Sequence, residues 1–313
     1  MPLNIKTNLP AIKLLLENEN IFVMDELRAS SQDIRPLEIL ILNLMPVKED
    51  TELELLRMLS NSPIQANIEL LRIKSHNSKN TEQSHLNSHY VVFDEIKHRK
   101  FDGMIITGAP IEHLEFEEVK YIDELREILQ WSRANVYSVF HICYGAMLGL
   151  YHHYGIKKIA LKHKLSGVYW HSICDKKEPL LRGMDDVFLV PHSRNSSINE
   201  EQVINCKDLD ILSKSDMAGL CLIASKNRRL IFVLGHPEYS RHTLDSEYKR
   251  DLNKGLNPSI PYNYYPDNNP NNAPLLTWRA ASNCIYINWL NYYVYQATQY
   301  DLSKINEKTE SFS

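Results

Sequence analysis

The chain has 313 residues, 43% of them hydrophobic and 24% charged, which is the composition of a globular protein and argues against general disorder. Lys and Arg total 35 against 39 Asp and Glu, with no basic cluster that would indicate nucleic acid as a partner, and no apolar run approaches the roughly 20 residues of a membrane span. Five cysteines without a CxxC pair argue against a disulfide framework or a cysteine-based zinc site, and they suit a cytoplasmic protein.

Strand patterns and helix patterns alternate along the first half of the chain. Short apolar runs rich in Ile, Leu and Val predict buried strands, whereas apolar residues three or four positions apart predict helices. In chain order we expect the strand Leu37–Leu44, the helix Glu49–Ser60, the strands Ile68–Ile73 and Phe101–Thr107, the helix Phe116–Arg133, the strand Val136–His141 and the helix Gly145–Tyr154.

The second half of the chain continues this pattern with shorter apolar runs. We expect strands at Val187–Val190, Gly219–Ile223 and Arg229–Gly235, a loop at Asn257–Pro274 and a final helix at Trp278–Gln296 that packs on the core. Alternation of this kind predicts an α/β fold with a mostly parallel central sheet flanked by helices. Ligands of such folds bind beyond the carboxyl ends of the strands, so candidate chemistry is sought there.

Cys143 lies at the carboxyl end of a predicted strand. The apolar run VYSVFHI leads into it, and Tyr144, Gly145 and Ala146 then open a helix. A strand–turn–helix elbow of this kind exposes the side chain at the turn and directs the positive end of the helix at the sulfur, which favours the thiolate. The backbone N–H of Tyr144 would be placed to stabilise an oxyanion. Taken alone, the segment fits a nucleophile and a small buried hydrophobic residue about equally well.

A second polar cluster, GHPEY, follows the strand predicted at Arg229–Gly235. His236 and Glu238 are two residues apart, and in an extended segment such residues point to the same side. His236 can then act as a base toward a nucleophile or an acceptor, with Glu238 holding its ring. A lone histidine after a strand is more often structural, but the Cys143 elbow makes a catalytic interpretation the better one.

Other residues carry weaker signals. Lys48, Lys164 and Arg250 are by default surface residues, and Ser193 fits a turn or a substrate contact. The pair His152 and His153 has no second ligand cluster, so we predict no metal site. Glycine-rich phosphate motifs are absent from the sequence, and we predict no bound cofactor.

Several segments together resemble the homoserine O-acyltransferases of the succinyltransferase and acetyltransferase type, which have a class I glutamine amidotransferase-like fold. The resemblance covers roughly residues 1 to 302 and implies one acyltransferase domain over that range, followed by a polar tail over 303–313. The segments that carry it are IFVMDELRASSQDIRPLEILILNLMPVKEDTE, FDGMIITGAPIE, HICYGAMLGLYHHYG, LSGVYWH, PHSR, GHPEYS, EYKRDLNKGLN and NWLNYYVYQ.

The resemblance implies roles for six residues that match the family's motifs. The acyl-accepting nucleophile falls on Cys143, with His236 and Glu238 as its catalytic partners. The family's substrate contacts fall on Lys164, Ser193 and Arg250. It also implies methionine biosynthesis through an acetyl-cysteine thioester intermediate, with acetyl-CoA and L-homoserine as substrates, and a homodimer.

One position, Glu112, bears on the choice of acyl donor. Members that transfer succinyl groups resemble one another in having Gly there, and members that transfer acetyl groups have Glu. A fixed carboxylate would repel the free carboxylate of a succinyl group, whereas acetyl is short and neutral. The resemblance therefore implies acetyl-CoA as the donor.

Alternative functions stay open at this point. Tyr144, Met147 and Trp170 depart from the family pattern near the expected site, so L-serine is an alternative acceptor. Transfer of succinyl from succinyl-CoA to homoserine is a separate alternative. A non-catalytic binding protein that keeps the fold is an alternative against which the intact Cys–His–Glu set weighs. A glutamine-hydrolysing amidotransferase is an alternative from another enzyme class. That class generally has Gly two residues before the nucleophile, where this chain has His141.

Overall fold

One sheet of twelve strands runs through the part of the chain that the structure, a computed structural model, describes. That part comprises residues 35–76, 80–111, 113–298 and 302–305, with short segments at 3–5, 9–10, 13–14 and 24–25. The strands are β1 (Leu3–Ile5), β2 (Met24–Asp25), β3 (Leu37–Leu42), β4 (Ala66–Arg72), β5 (Tyr90–Val92), β6 (Phe101–Ile106), β7 (Val136–Ile142), β8 (Lys158–Ile173), β9 (Val187–Ile198), β10 (Leu209–Ser215), β11 (Gly219–Ser225) and β12 (Leu230–Val233).

Helices connect the strands and cover the sheet. The described α-helices are α1 (Lys48–Leu59), α2 (Gln83–His89), α3 (Phe93–Ile96), α4 (Ile122–Asn135), α5 (Tyr144–Tyr154), α6 (Glu200–Ile204), α7 (Thr243–Asn253) and α8 (Arg279–Asn288). None of these described helices is long and apolar enough to cross a bilayer.

The sheet has a parallel half and an antiparallel half. Its order is β2-β1-β4-β3-β6-β7-β12-β11-β10-β8-β9, with β5 beside β4. Every strand pair from β2 to β12 is parallel, and every pair from β12 to β9 is antiparallel. The prediction of a mostly parallel central sheet flanked by helices is confirmed. Strands β12 and β7 are neighbours, so the carboxyl ends where Cys143 and His236 were expected lie side by side.

The core lies where the parallel strands are sandwiched between helices. All residues of β6 and β7 are buried, which is why both strands are mainly apolar in sequence. Trp289 packs so closely under β6 that a Cβ at Gly103 would lie 3.1 Å from its ring. Its Nε1 donates a hydrogen bond to Ser138 Oγ at 3.0 Å. The predicted core role of the C-terminal aromatic segment is confirmed for Trp289 and Tyr293, both buried.

Two predicted helices differ from the observed ones. The segment predicted as one helix from Phe116 begins as a 3₁₀ turn, Phe116–Glu118, in which the Glu118 side chain accepts a bond from the N–H of Glu115. Helix α4 then starts only at Ile122. At the C-terminus, α8 ends at Asn288, and the chain continues as a π-helical segment, Trp289–Tyr295.

The prediction missed strand β8 of the long hairpin and placed the end of strand β9 too early. Strand β8 is rich in Lys and His, and much of it is exposed, so no apolar run marks it. Strand β9 continues to Ile198, well past the predicted end at Val190, because its polar residues are buried through hydrogen bonds. Arg194, for example, donates to the carbonyls of Ser196 and Ala218. The domain boundary at residue 302 stays a prediction, and most of the expected tail lies outside the described residues.

Candidate active site

Cys143 occupies a strained turn between β7 and α5. Its φ of 49° and ψ of −109° lie in a region that residues other than glycine rarely adopt. Two backbone bonds hold the turn: Cys143 N–H donates to Val233 O at 2.7 Å, and Met147 N–H donates to Cys143 O at 2.9 Å. The predicted strand–turn–helix elbow is therefore present, and strain of this kind is typical of nucleophile sites.

Gly145 allows the elbow to sit close to the neighbouring strand. A Cβ at this position would lie 2.8 Å from the carbonyl oxygens of both Ile106 and Thr107. The first N–H groups of a helix have no partner within the helix, and they make its start electropositive. Because α5 begins at Tyr144, directly after Cys143, that positive end lies next to the Cys143 turn.

His236 follows β12 and faces the same turn as Cys143. A Cβ at Gly108 would lie 3.3 Å from His236 Cε1 and 3.5 Å from Cys143 Cβ, so both side chains adjoin Gly108. His236 Nδ1 lies 2.6 Å from Glu238 Oε1, and the His236 N–H donates to Pro191 O at 2.8 Å. The sequence prediction that Cys143, His236 and Glu238 come together is matched by this geometry.

The electrostatics of the group favour a protonated imidazole. Burial works to lower the pKa of His236, but the charges of Cys143 and Glu238, and hydrogen bonds with both, raise that pKa well above its usual value. Tyr239 stacks on the His236 ring with centroids 4.1 Å apart, and its hydroxyl donates to Glu247 at 3.0 Å. The arrangement can therefore hold an imidazolium beside a thiolate.

A second carboxyl, Glu54, lies behind the site and was missed by sequence reasoning. It projects from α1, and its Oε1 accepts hydrogen bonds from the N–H of Ser240, at 2.9 Å, and from the hydroxyl of Thr243. Burial and the charge of Glu238 raise the pKa of Glu54 to about 7. The sequence carries no distinct signal for it, because Glu52 and Arg57 are buried charged residues of the same helix.

A cleft of about 820 Å³ opens above these residues. Cys143 and His236 line it, together with Lys164 from β8, Ser193 from β9 and Arg250 from α7. The substrate-contact residues implied by resemblance thus share one cavity with the expected nucleophile.

Asp251 organises the cationic wall of the cleft and was not anticipated. Its Oδ2 accepts a bond from Lys164 Nζ at 2.8 Å, and its Oδ1 accepts bonds from Arg250 Nε and a terminal guanidinium nitrogen at 3.0 and 2.9 Å. Its pKa is lowered because the Lys164 and Arg250 bonds and charges outweigh burial, which by itself would raise it. One carboxylate therefore fixes two cations that face the cleft.

Four residues that the sequence analysis placed near the site are not seen among the described residues that line the cleft. Glu112, the expected donor filter, lies outside the described residues. Tyr144 and Met147 are fully buried in the core, Trp170 is 56% exposed, and none of these three lines the cleft. The sequence departures at those three positions therefore do not reshape the cavity wall directly.

The default interpretation of Lys48 as a surface residue is wrong. Lys48 is buried, and its Nζ donates to the carbonyls of Asn43, at 2.7 Å, and Met45, at 3.3 Å. Burial lowers its pKa to about 8. These bonds hold the loop that follows β3 against the start of α1.

His171, His192 and Cys221 form the one described group of side chains whose geometry would suit a metal ion, with ligand atoms within 4.8 Å of one another. A chain of hydrogen bonds accounts for the two imidazoles: Arg194 Nε donates to His192 Nδ1 at 3.5 Å, the two Nε2 atoms are 3.1 Å apart, and His171 Nδ1 lies 2.9 Å from a carbonyl, that of Tyr169. If His192 Nε2 donates to His171 Nε2 and His171 Nδ1 donates to the Tyr169 carbonyl, each ring nitrogen of the two imidazoles has a partner. We therefore interpret the group as a buried hydrogen-bond chain.

Sequence comparisons place the whole chain among acyltransferases of one kind. The model of a family described as homoserine O-succinyltransferase matches residues 2–300. A protein of Lachnospira eligens named homoserine O-acetyltransferase is 57% identical over 304 residues, which are 97% of this chain and 98% of that relative. A protein of the same name from Methanomethylophilus alvi is 53% identical over 310 residues, 99% of this chain and 100% of the relative.

Among solved structures, the fold is similar to that of a glutamine amidotransferase from Thermotoga maritima. The TM-score is 0.56 at 10% sequence identity, and the match covers 84% of this chain and 100% of that one. At this identity the likeness concerns the fold alone, and it confirms the predicted class I glutamine amidotransferase-like architecture.

Proposed function

The chain belongs to the homoserine O-succinyltransferase family, and on that premise we propose that it transfers an acetyl group from acetyl-CoA to the hydroxyl of L-homoserine. The observation that carries the proposal is the cleft in which Cys143, at a strained elbow, adjoins His236 across Gly108 and faces the cations fixed by Asp251. Acetyl rather than succinyl rests on the names of the relatives, since Glu112 lies outside the described residues.

The first half-reaction loads the enzyme. The Cys143 thiolate attacks the thioester carbonyl, and the N–H of Tyr144 stabilises the oxyanion that forms. The carbon–sulfur bond to CoA breaks, and the departing thiolate takes the proton held by His236. An acetyl-cysteine thioester and a neutral imidazole remain, with Glu238 keeping the ring in place.

The second half-reaction unloads it. Neutral His236 takes the proton of the acceptor hydroxyl as its oxygen attacks the acetyl-cysteine carbonyl. The tetrahedral intermediate collapses, the Cys143 thiolate leaves, and O-acetyl-L-homoserine is released. The imidazolium–thiolate pair is restored, so protons and electrons balance over the cycle.

The cleft offers complementary charges for an amino-acid acceptor. Arg250 and Lys164 form its cationic wall and would bind the carboxylate, with Ser193 beside them. Glu247 also lines the cleft, and its buried Oε2 has no hydrogen-bond partner in the described part of the chain, so it would accept from the amino group. Homodimer formation and a cytoplasmic location stay predictions.

The test is thiol release by the purified protein with each pairing of acetyl-CoA or succinyl-CoA with L-homoserine or L-serine. We expect acetyl-CoA with L-homoserine to be fastest, and Cys143→Ala to abolish release while folding normally. A faster rate with L-serine would contradict the acceptor, and a faster rate with succinyl-CoA would contradict the donor. Ammonia release from glutamine, without thiol release, would indicate an amidotransferase instead.

A further inference from the structure

A second cavity adjoins the cleft that holds Cys143. It has a volume of about 310 Å³, is largely apolar, and lies over the carboxyl ends of β3 and β4. The two cavities share four lining residues: Met45, Pro46, Asn80 and Pro110. A ligand bound at Cys143 can therefore continue into this second space, which we call the side cavity.

Arg72, the last residue of β4, lines the side cavity. Its Nε is buried and has no hydrogen-bond partner among the residues that the structure describes. A buried guanidinium N–H without an acceptor is costly, and the planar set of donors of an arginine matches a phosphate. Lys48 adds a second cation to the same wall. A largely apolar cavity with cations at its wall suits a ligand that has an uncharged chain and an anionic group at the end of that chain.

The strand pairing in the sheet gives the distance between the backbones of Arg72 and Cys143. Leu71, Leu42, Ile106 and His141 pair in one row across β4, β3, β6 and β7. Arg72 lies one residue beyond that row, and Cys143 lies two residues beyond it. Three strand spacings of about 4.8 Å separate β4 from β7, so the two backbones are roughly 14 Å apart at the same edge of the sheet.

The pantetheine arm of CoA has a matching length. About twelve chain bonds connect its sulfur to the oxygen that carries the first phosphate, and at the advance of an extended peptide, roughly 1.2 Å per bond, they span about 14 Å. We propose that the side cavity receives the pantetheine arm of the acyl donor and that Arg72 binds the first phosphate at the end of that arm. This inference rests on the proposed function, since it places the donor of that reaction.

The test compares three acetyl donors that differ in what lies beyond the arm: acetyl-CoA, acetyl-4′-phosphopantetheine and acetyl-pantetheine. Arg72→Gln removes the charge, and Lys74→Gln is the matched control, because Lys74 is an exposed cation two residues away that pairs with Asp94. We expect Arg72→Gln to lower kcat/KM at least tenfold for both phosphate-bearing donors and less than twofold for acetyl-pantetheine. Lys74→Gln should change none of the three by more than twofold, and Arg72→Lys should recover part of the loss.

Two kinetic results would overturn the inference. An equal loss with all three donors would mean that Arg72 acts on the reacting centre or on folding. A loss with acetyl-CoA alone would assign Arg72 to a phosphate of the nucleotide rather than to the first one.

Calorimetry separates this inference from the proposed function. CoA titrated into Cys143→Ala and into the double variant Cys143→Ala with Arg72→Gln should show at least a tenfold weaker Kd in the second. Unchanged affinity would reject the phosphate contact. An inactive wild-type protein that still binds CoA in this Arg72-dependent way would reject the proposed transfer and keep the donor cavity.

Discussion

The proton on His236 depends on charges that lie on both sides of the ring. Cys143 and Glu238 together raise the pKa of His236 against the effect of burial. An imidazolium is needed at the moment when CoA leaves, and a neutral imidazole is needed when the acceptor hydroxyl attacks. In the proposed mechanism, Glu238 therefore does more than orient the ring, because its charge helps to set the pH range over which the first half-reaction is competent.

Glu238→Gln tests this role of charge. The amide keeps the size of the side chain and can still accept from Nδ1, but the charge that helps to raise the pKa of His236 is gone. We expect kcat/KM for acetyl-CoA to fall by about 10²-fold or more, and its alkaline limb to move to lower pH. A pH–rate profile of thiol release measures both. The surface variant Glu118→Gln should match the wild type, and an unmoved alkaline limb in Glu238→Gln would contradict the charge argument.

Glu54 makes a distinct prediction about stability. Its pKa in the folded protein is about 7, above the ordinary value of 4.5, because of burial first and Glu238 second. The folded state therefore holds a proton that the unfolded chain releases. The stability that this proton gives is complete below about pH 4.5 and is lost as the pH rises through about 7.

Glu54→Gln should remove that dependence, since a neutral amide can still accept from Ser240 and Thr243. Between pH 5 and pH 8 the wild type should lose on the order of 3 kcal/mol relative to the variant. Urea unfolding of both proteins at the two pH values measures the difference. Parallel pH dependence of the two proteins would show that Glu54 does not titrate in this range.

At the scale of elements, helix α5 needs a glycine at each end, for a different reason at each. Gly145 is needed for space, because a Cβ there would lie 2.8 Å from two carbonyl oxygens. Gly155, at the far end of α5, is needed for conformation: its φ is 70°, and nothing lies within 4 Å of where a Cβ would be. The same substitution therefore has different consequences at the two ends of one helix.

We expect Gly145→Ala to lower the free energy of unfolding by several kcal/mol and to abolish acyl transfer, because α5 must move away from β6 and carry the Cys143 turn with it. Gly155→Ala should cost about 1 kcal/mol, the strain of a left-handed residue, and leave kcat nearly unchanged. Urea titrations and thiol release together separate the two. A fully active Gly145→Ala protein would mean that the elbow tolerates a wider spacing.

Strands that are buried on both faces were predictable from the sequence. Strands that are partly exposed, or whose buried residues are polar, were not. The strands β3, β6 and β7 are mainly apolar, so they stand out in the sequence as apolar runs. Strand β8 has no such run, and its position is set by pairing with β9 along their length. The same limit applies to the site. Cys143, His236 and Glu238 follow strands directly, whereas Glu54 and Asp251 reach it from helices that only the tertiary structure brings near.

For the whole molecule, the candidate site lies where the two halves of the sheet meet. The parallel half supplies Cys143 after β7 and His236 after β12. The antiparallel half begins beyond β12, and its outer hairpin of β8 and β9 brings Lys164 and Ser193 over the cleft. The proposed reacting pair thus follows two neighbouring parallel strands, and two of the proposed acceptor contacts come from the antiparallel hairpin.

Three imidazoles buried on strands of the sheet predict how the molecule responds to acid. His141, His171 and His192 lie on β7, β8 and β9 and are at most 1% exposed. Burial lowers the pKa of His141 and of His171 to about 4, and that of His192 well below its ordinary value. As the pH falls below about 6.5, the unfolded chain takes up protons that the folded protein cannot.

The stability that these neutral imidazoles give is therefore complete above the ordinary histidine pKa of 6.5 and is lost as the pH falls toward 4. These three groups give a slope of up to about 4 kcal/mol per pH unit. His153, whose pKa burial lowers to about 2, adds in the same sense, and Glu54, titrating in the opposite sense, subtracts about one group's share. With a total stability of about 5–15 kcal/mol, the protein should unfold within a few pH units below neutrality. Urea midpoints measured from pH 7 to pH 4.5 should fall steeply, and His141→Gln should make the slope shallower by about 1 kcal/mol per pH unit. An unchanged slope in that variant would mean that the imidazole on β7 is protonated in the folded state, which its burial beside the stacked ring of Phe232 argues against.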